Sequence, residues 1–192
     1  MPTVPAAVAG SLEVDLSALP APEETVFANS CSIIDYGLHL ELFFWHHRPK
    51  GRTEPVLSVM VPIDAAVVYL WGTSREFQQQ EESIYKAAGI SIPEVAAAQL
   101  EVESPRILPA NVFRIARTGV EASLELYFLP PYATFVAALR KAKTVMEFEP
   151  MIRVQLPGPV LTSVLRRVDS MVPELKSRLG DLLPTVTMKR RT

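Results

Sequence analysis

Three histidines, one cysteine and a repeated glutamate are the side chains in this 192-residue sequence to test first for reactive chemistry. His39, His46 and His47 share one stretch, but neighbours on an extended chain point in opposite directions, so His46 and His47 do not readily share a metal. No cysteine or carboxylate cluster stands beside them at ligand spacing, which favours a solvated loop over a metal site. Cys31 is single, which excludes an intramolecular disulfide. Between Ser30 and Ser32 it reads as a small buried hydrophobe, because a nucleophile needs an activating base beside it. Glu41 and Glu125 lie in two similar strands, and paired carboxylates can do acid-base work. Repetition of a solvent-facing position explains the same pair more simply. The eight glycines form neither GxGxxG nor GxxxxGK, and no Ser-His-Asp arrangement follows from spacing. The expectation is a non-enzymatic protein with no cofactor and no bound metal.

Composition narrows the class further. Hydrophobic residues make up 48% and charged residues 21%, enough for a packed core in one domain or two small ones. The net charge of -2 gives no general attraction to nucleic acid or anionic lipid. Basic residues concentrate only in the Arg48-Lys50-Arg52 loop and in Lys189-Arg190-Arg191, so nucleic-acid binding through these segments is a minor alternative. Met1 to Pro20 lacks a basic start followed by a long apolar run, and the apolar stretch from Val59 to Trp71 is too short to span a bilayer. A soluble cytoplasmic protein is expected.

The elements that would carry these residues are written nearly twice. Leu12-Glu13-Val14-Asp15 returns as Leu100-Glu101-Val102-Glu103, at a shift of 88 residues. Leu40-Glu41-Leu42-Phe43-Phe44 returns as Leu124-Glu125-Leu126-Tyr127-Phe128, at a shift of 84. Glu54 to Pro62 returns as Glu149 to Pro157, at a shift of 95. A duplicated unit of this kind suggests a fused dimer. The expected organisation is a flexible N-terminus (1–10), a first repeat (11–89), a linker (90–99), a second repeat (100–180) with a short helix inserted near 131–143, and a C-terminal tail (181–192).

Alternation predicts strands over Leu12–Leu16, about Val26–Ile34, Leu38–Trp45 and Val56–Val61 in the first repeat. Asp35-Tyr36-Gly37 reads as the tight turn between the second and third. A helix should open on Asp64 as its cap and bury Val67, Leu70, Trp71, Ser74, Phe77 and Ile84 before ending at Gly89. Pro93 could open another short helix. The second repeat predicts strands at Leu100–Glu103, Val112–Ala116, Ala122–Phe128 and Ile152–Leu156. Its closing helix should start near Pro159, carry a stripe from Leu161 to Leu179, kink at Pro173 and end at Gly180. The fold class is α+β: two pseudo-symmetric copies of an antiparallel sheet of about four strands, each followed by a long helix.

Some of these signals carry a family likeness. The Phe27-Ala28-Asn29 step, the strand ending in Phe43-Phe44, the apolar strand Val56-Leu57-Ser58-Val59-Met60-Val61 closed by Pro62, and the long helix after it resemble a small bacterial family catalogued as domain of unknown function number 3467. Ala110-Asn111 matches Ala28-Asn29 in the second copy, with Pro109 in place of the aromatic. Members of that family are short and single-copy, so the resemblance implies a fused pair and transfers no activity. The architecture is also similar to SecB-type export chaperones, which combine antiparallel strands with a long helix.

Comparing the outward positions of the two copies yields the candidate binding residues. Phe43, Trp45, Val56 and Met60 point outward in the first copy, against Tyr127, Leu129, Met151 and Gln155 in the second. An apolar outer face marks an association surface unless another part of the chain covers it. The functional expectation is a protein-binding adaptor or assembly component, oligomeric, touching its partner through Phe43, Trp45, Val56, Met60, Tyr127 and Leu129. A holdase chaperone for unfolded clients is the alternative.

Overall fold

Two-residue alternation of apolar side chains builds the strands, and prolines at their ends hand the chain over to helices. The computed structural model describes residues 12–16, 19–51, 53–95, 106–118, 120–130, 148–180 and 186–189. The first half runs β1 (Leu12–Asp15), β2 (Thr25–Phe27), β3 (Ser30–Asp35), β4 (His39–His47), β5 (Thr53–Pro62), α1 (Ile63–Ala65), a π-helical segment (Ala66–Leu70) and α2 (Trp71–Ala88). The second runs β6 (Ile107–Pro109), β7 (Val112–Thr118), β8 (Glu121–Phe128), β9 (Glu149–Pro157), α3 (Gly158–Leu179) and β10 (Val186–Lys189). The class is α+β, with two four-stranded sheets.

Each sheet borrows a strand. The first sheet is ordered β3-β4-β5-β6, and the second β2-β9-β8-β7. Three strands of each form an antiparallel meander, while β6 lies parallel to β5 and β2 parallel to β9. The single strand expected over Val26–Ile34 is therefore two strands in different sheets. Its break falls at Ala28-Asn29, where the Ala28 amide still donates to Gln155 O (2.9 Å) but the Asn29 amide already donates to Trp45 O (2.9 Å). Neither sheet is wholly antiparallel, and β1 joins neither: it pairs in parallel with β10, so the C-terminal tail contributes a strand.

Main-chain contacts recur at two fixed shifts. Ala28 N to Gln155 O is matched by Ala110 N to Met60 O, and Asn29 N to Trp45 O by Asn111 N to Tyr127 O. Arg153 N to Glu24 O is matched by Ser58 N to Arg106 O. Side-chain clamps repeat as well. Asn29 Nδ2 donates to His47 O (2.9 Å) while its Oδ1 accepts from His47 N (2.7 Å); Asn111 and Leu129 make the same two bonds at 2.7 and 2.8 Å. These recurrences run at a shift of 82 before β5 and β9, and at 95 from those strands to the helix starts Ile63 and Gly158. At these shifts Leu42 stands against Leu124 and Phe43 against Glu125, whereas the sequence repeat set Leu40 against Leu124.

The inner faces of both sheets and the helices share one hydrophobic core. Leu42 and Val59 lie side by side in the first sheet, as Leu124 and Val154 do in the second. The helices run antiparallel: Trp71, at the start of α2, donates from Nε1 to Asp169 Oδ1 (2.5 Å), whereas Glu82 further on accepts from Arg166 of α3 (2.6 Å). They also cross over, since α2 packs on β7 and α3 on β3.

Local chemistry explains the helix ends. Pro62, rather than Asp64, occupies the cap of α1, and Asp64 lies inside the first turn, where an acid still favours the positive helix end. Gly89 takes the left-handed conformation at φ 66° and closes α2. The buried stripe of α2 leaves the expected line at its C-terminal end: Glu81 and Tyr85 are buried and Ile84 is exposed, because β7 offers Arg117 to the Glu81 carboxylate at 3.1 Å. α3 continues through Pro173 to Gly180 and buries Leu161, Val164, Leu165, Val168, Val172 and Leu175. No helix follows Pro93 as far as residue 95. The strand expected at Leu100–Glu103 and the inserted helix near 131–143 lie outside the described residues.

Candidate functional site

The outer faces of the two sheets set the same positions to opposite chemistry. Cross-strand pairing places Ser32, Phe43, Ser58 and Ile107 in one row of the first sheet. The corresponding row of the second sheet is Arg114, Glu125, Arg153 and Thr25. Next along the strands, Trp45 corresponds to Tyr127, each beside a register shift that turns the aromatic ring back over its row.

In the second sheet the row is a closed ion network. Glu125 is 3% exposed, and one of its oxygens accepts from Arg153 Nε (2.9 Å) and Nη2 (2.6 Å). The other accepts from Arg114 Nε and from the Tyr127 hydroxyl (3.0 Å). Arg114 Nη1 also donates to the carbonyls of Leu16 (3.2 Å) and Leu19 (2.9 Å), tying that segment over the sheet. Burial alone would raise the Glu125 pKa, but the two guanidiniums and the phenol outweigh it and hold the carboxyl below the usual range. Burial and the Glu125 charge push the Tyr127 hydroxyl up. With both oxygens occupied by cations, Glu125 is an ionised structural anchor rather than a base free to take a proton.

The first sheet replaces those charges with apolar surface. Phe43 and Trp45 stack with ring centres 6.2 Å apart, and Trp45 Nε1 donates to Ser32 Oγ (3.1 Å). Phe43 and Trp45 are nonetheless buried, as are Tyr127 and Leu129, so four of the six expected binding residues are covered within the chain. Val56 is half-buried, and Met60 is 37% exposed. Ile107, which the sequence did not single out, is 58% exposed on the same face. It stands opposite Ser58 on β6, diagonal to Met60, so Met60 and Ile107 form the accessible margin of this apolar face, while Val56 packs against the core. The alternation of β5 points to Met60; nothing local assigns Ile107 to that sheet, because its pairing crosses from the other half.

The remaining reactive candidates separate. Glu41 lies on the first sheet between Ile34 and Met60, while Glu125 lies on the second, so no carboxylate pair forms from them. His39 stacks on Tyr36 at 5.2 Å, and His47 shares a hydrogen bond with Thr53 (2.8 Å). Among the described residues no three histidine, cysteine or acidic side chains converge as metal ligands. Cys31 is buried, which raises its thiol pKa and keeps it unreactive. In the basic loop Arg48 is paired with Glu54 at 2.8 Å; Arg52, Arg190 and Arg191 lie outside the described residues. No described helix is long and apolar enough to cross a membrane. No protein-family model matches the chain, and no curated protein matches it closely enough to count as a relative.

Proposed function

We propose that this chain is a fused pair of equivalent units that works by binding protein, with the outer face of the β3-β4-β5-β6 sheet as its contact surface. Equivalence of the halves is supported by the hydrogen bonds that recur at shifts of 82 and 95 and by the twin asparagine clamps. The observation that carries the binding reading is the contrast between the outer faces. One consumes its charges in a closed network, while the other presents Met60 and Ile107 at the edge of buried aromatic rings. Apolar side chains gathered at an accessible margin favour association over catalysis on small polar molecules. A partner offering an extended apolar segment would fit this face, which is also what a holdase requires.

The test compares the native chain with the M60K/I107K variant, both confirmed folded by circular dichroism. The native protein should either self-associate in size exclusion with light scattering or suppress aggregation of a chemically unfolded client, and the variant should do neither. A native chain that stays monomeric at high concentration and leaves client scattering unchanged overturns the proposal.

A further inference from the structure

The contacts between the halves are sorted by sign. Four ion pairs among the described residues join residues 1–95 to residues 106–180: Glu24 to Arg106 (2.6 Å), Glu81 to Arg117 (3.1 Å), Glu82 to Arg166 (2.6 Å) and Asp35 to Arg178. In every one the acid belongs to the first half and the base to the second. The sequence carries the same bias. Residues 1–95 hold twelve acids and five bases, net -7, whereas residues 96–192 hold nine acids and fourteen bases, net +5.

The equivalences give this sorting a consequence. Asp35 corresponds to Arg117 and Glu24 to Arg106, at the shift of 82 that the main-chain bonds define; the π-helical segment Ala66–Leu70 has no counterpart in α3, so buried Glu81 matches buried Leu175. If two first halves met in the geometry of the native contact, Asp35 would face Glu81 and Glu24 would face Glu24. If two second halves met, Arg117 would face Leu175 in place of the Glu81 carboxylate and Arg106 would face Arg106. The first self-pairing exchanges attractions for like-charge contacts, the second for one like-charge contact and a cation set against an apolar side chain, and the Glu81 position is only 3% exposed, so little solvent screens it.

We infer that the surface between the halves is a charge-coded heterotypic interface: an acidic first half that accepts a basic second half, from its own or another copy of the chain, and rejects its own kind. The inference rests on the equivalence of the halves proposed above. It makes the strand and helix exchange a recognition event in its own right, with a partner of defined polarity.

The test uses the whole chain carrying a protease site between Gln99 and Leu100, cleaved after folding. The cleaved protein is unfolded in denaturant, returned to about 0.01 M salt, where charges act over about 30 Å, and counted by native mass spectrometry. One first half with one second half should be the main paired species, in at least tenfold excess over either self-pair. Raising the salt to about 1 M, where the screening length falls to about 3 Å, should reduce that excess. A second variant, R117L, sets an apolar side chain against Leu175 in a pair of second halves, where Arg117 would lose the Glu81 carboxylate, and should raise that self-pair at least tenfold. Self-pairs in the parent above a tenth of the mixed pair at low salt would overturn the charge code while leaving the equivalence standing. Failure of R117L to gain a self-pair would overturn the code through the equivalence beneath it, and the two failures are thereby distinguished.

Discussion

Substituting Gly158 by alanine tests how closely α3 is seated. A Cβ built on Gly158 would lie 2.0 Å from the Tyr85 hydroxyl and 3.2 Å from the ring carbon that bears it. Tyr85 has little room to retreat: it is 4% exposed, on the same face of α2 as buried Glu81. In an open helix the alanine would gain up to about 1 kcal/mol over glycine. Overpacking a filled site costs about 1–3 kcal/mol, so G158A should be destabilised by about 1–2 kcal/mol net. Y85F removes the clashing oxygen, which has no hydrogen-bond partner of normal geometry, and should lie within about 1 kcal/mol of the native protein. In the double variant the closest contact becomes the 3.2 Å carbon, which a shift of a few tenths of an ångström relieves. Urea unfolding of the four proteins then yields a coupling of about 1–2 kcal/mol in favour of the double variant. Additive effects, or a G158A protein at least as stable as the parent, would refute the packing argument.

Three further outcomes follow from the other sites. E125Q leaves Arg114 and Arg153 facing each other without their anion; with those side chains 23% and 32% exposed, the full cost of a broken buried pair is reduced to about 2–3 kcal/mol at neutral pH. Because the folded-state pKa of Glu125 is lowered, its contribution is present above the ordinary carboxylate range and lost as pH falls through the folded value, so chemical denaturation should show parent and E125Q converging in acid. N29A and N111A each delete two hydrogen bonds worth about 1 kcal/mol apiece, and thermal melts should show the larger loss for N111A, whose clamp is the more buried. Cys31 should resist thiol reagents in the native protein and be labelled only at the rate of unfolding; fast labelling would mean the β3 interior opens locally.

Periodicity made much of this fold legible. Leu40, Leu42 and Phe44 alternate so regularly that β4 could be placed to within two residues, and the Leu161-to-Leu175 stripe defined α3 before any coordinate. What stayed hidden is pairing, which no local pattern encodes. Val26 to Ile34 reads as one apolar run, yet Asn29 diverts the chain from one sheet to the other by clamping His47. Glu125 looked like a solvent-facing residue because its strand alternates; its burial depends on Arg114 and Arg153, which reach it from two neighbouring strands. The outward direction of Phe43 and Trp45 was readable, but whether an outward face is also exposed is a property of the whole chain.

The exchange of strands also sets a timetable for synthesis. β2 leaves the ribosome well before its partner among the described residues, β9, which is made more than a hundred residues later, a delay of roughly 6–25 s at ordinary elongation rates. Through that interval the nascent chain carries an unfinished sheet edge and an apolar helix stripe with nothing to cover them. Such surfaces invite aggregation, and the net charge of -7 over residues 1–95 sets a repulsion between neighbouring nascent chains against it.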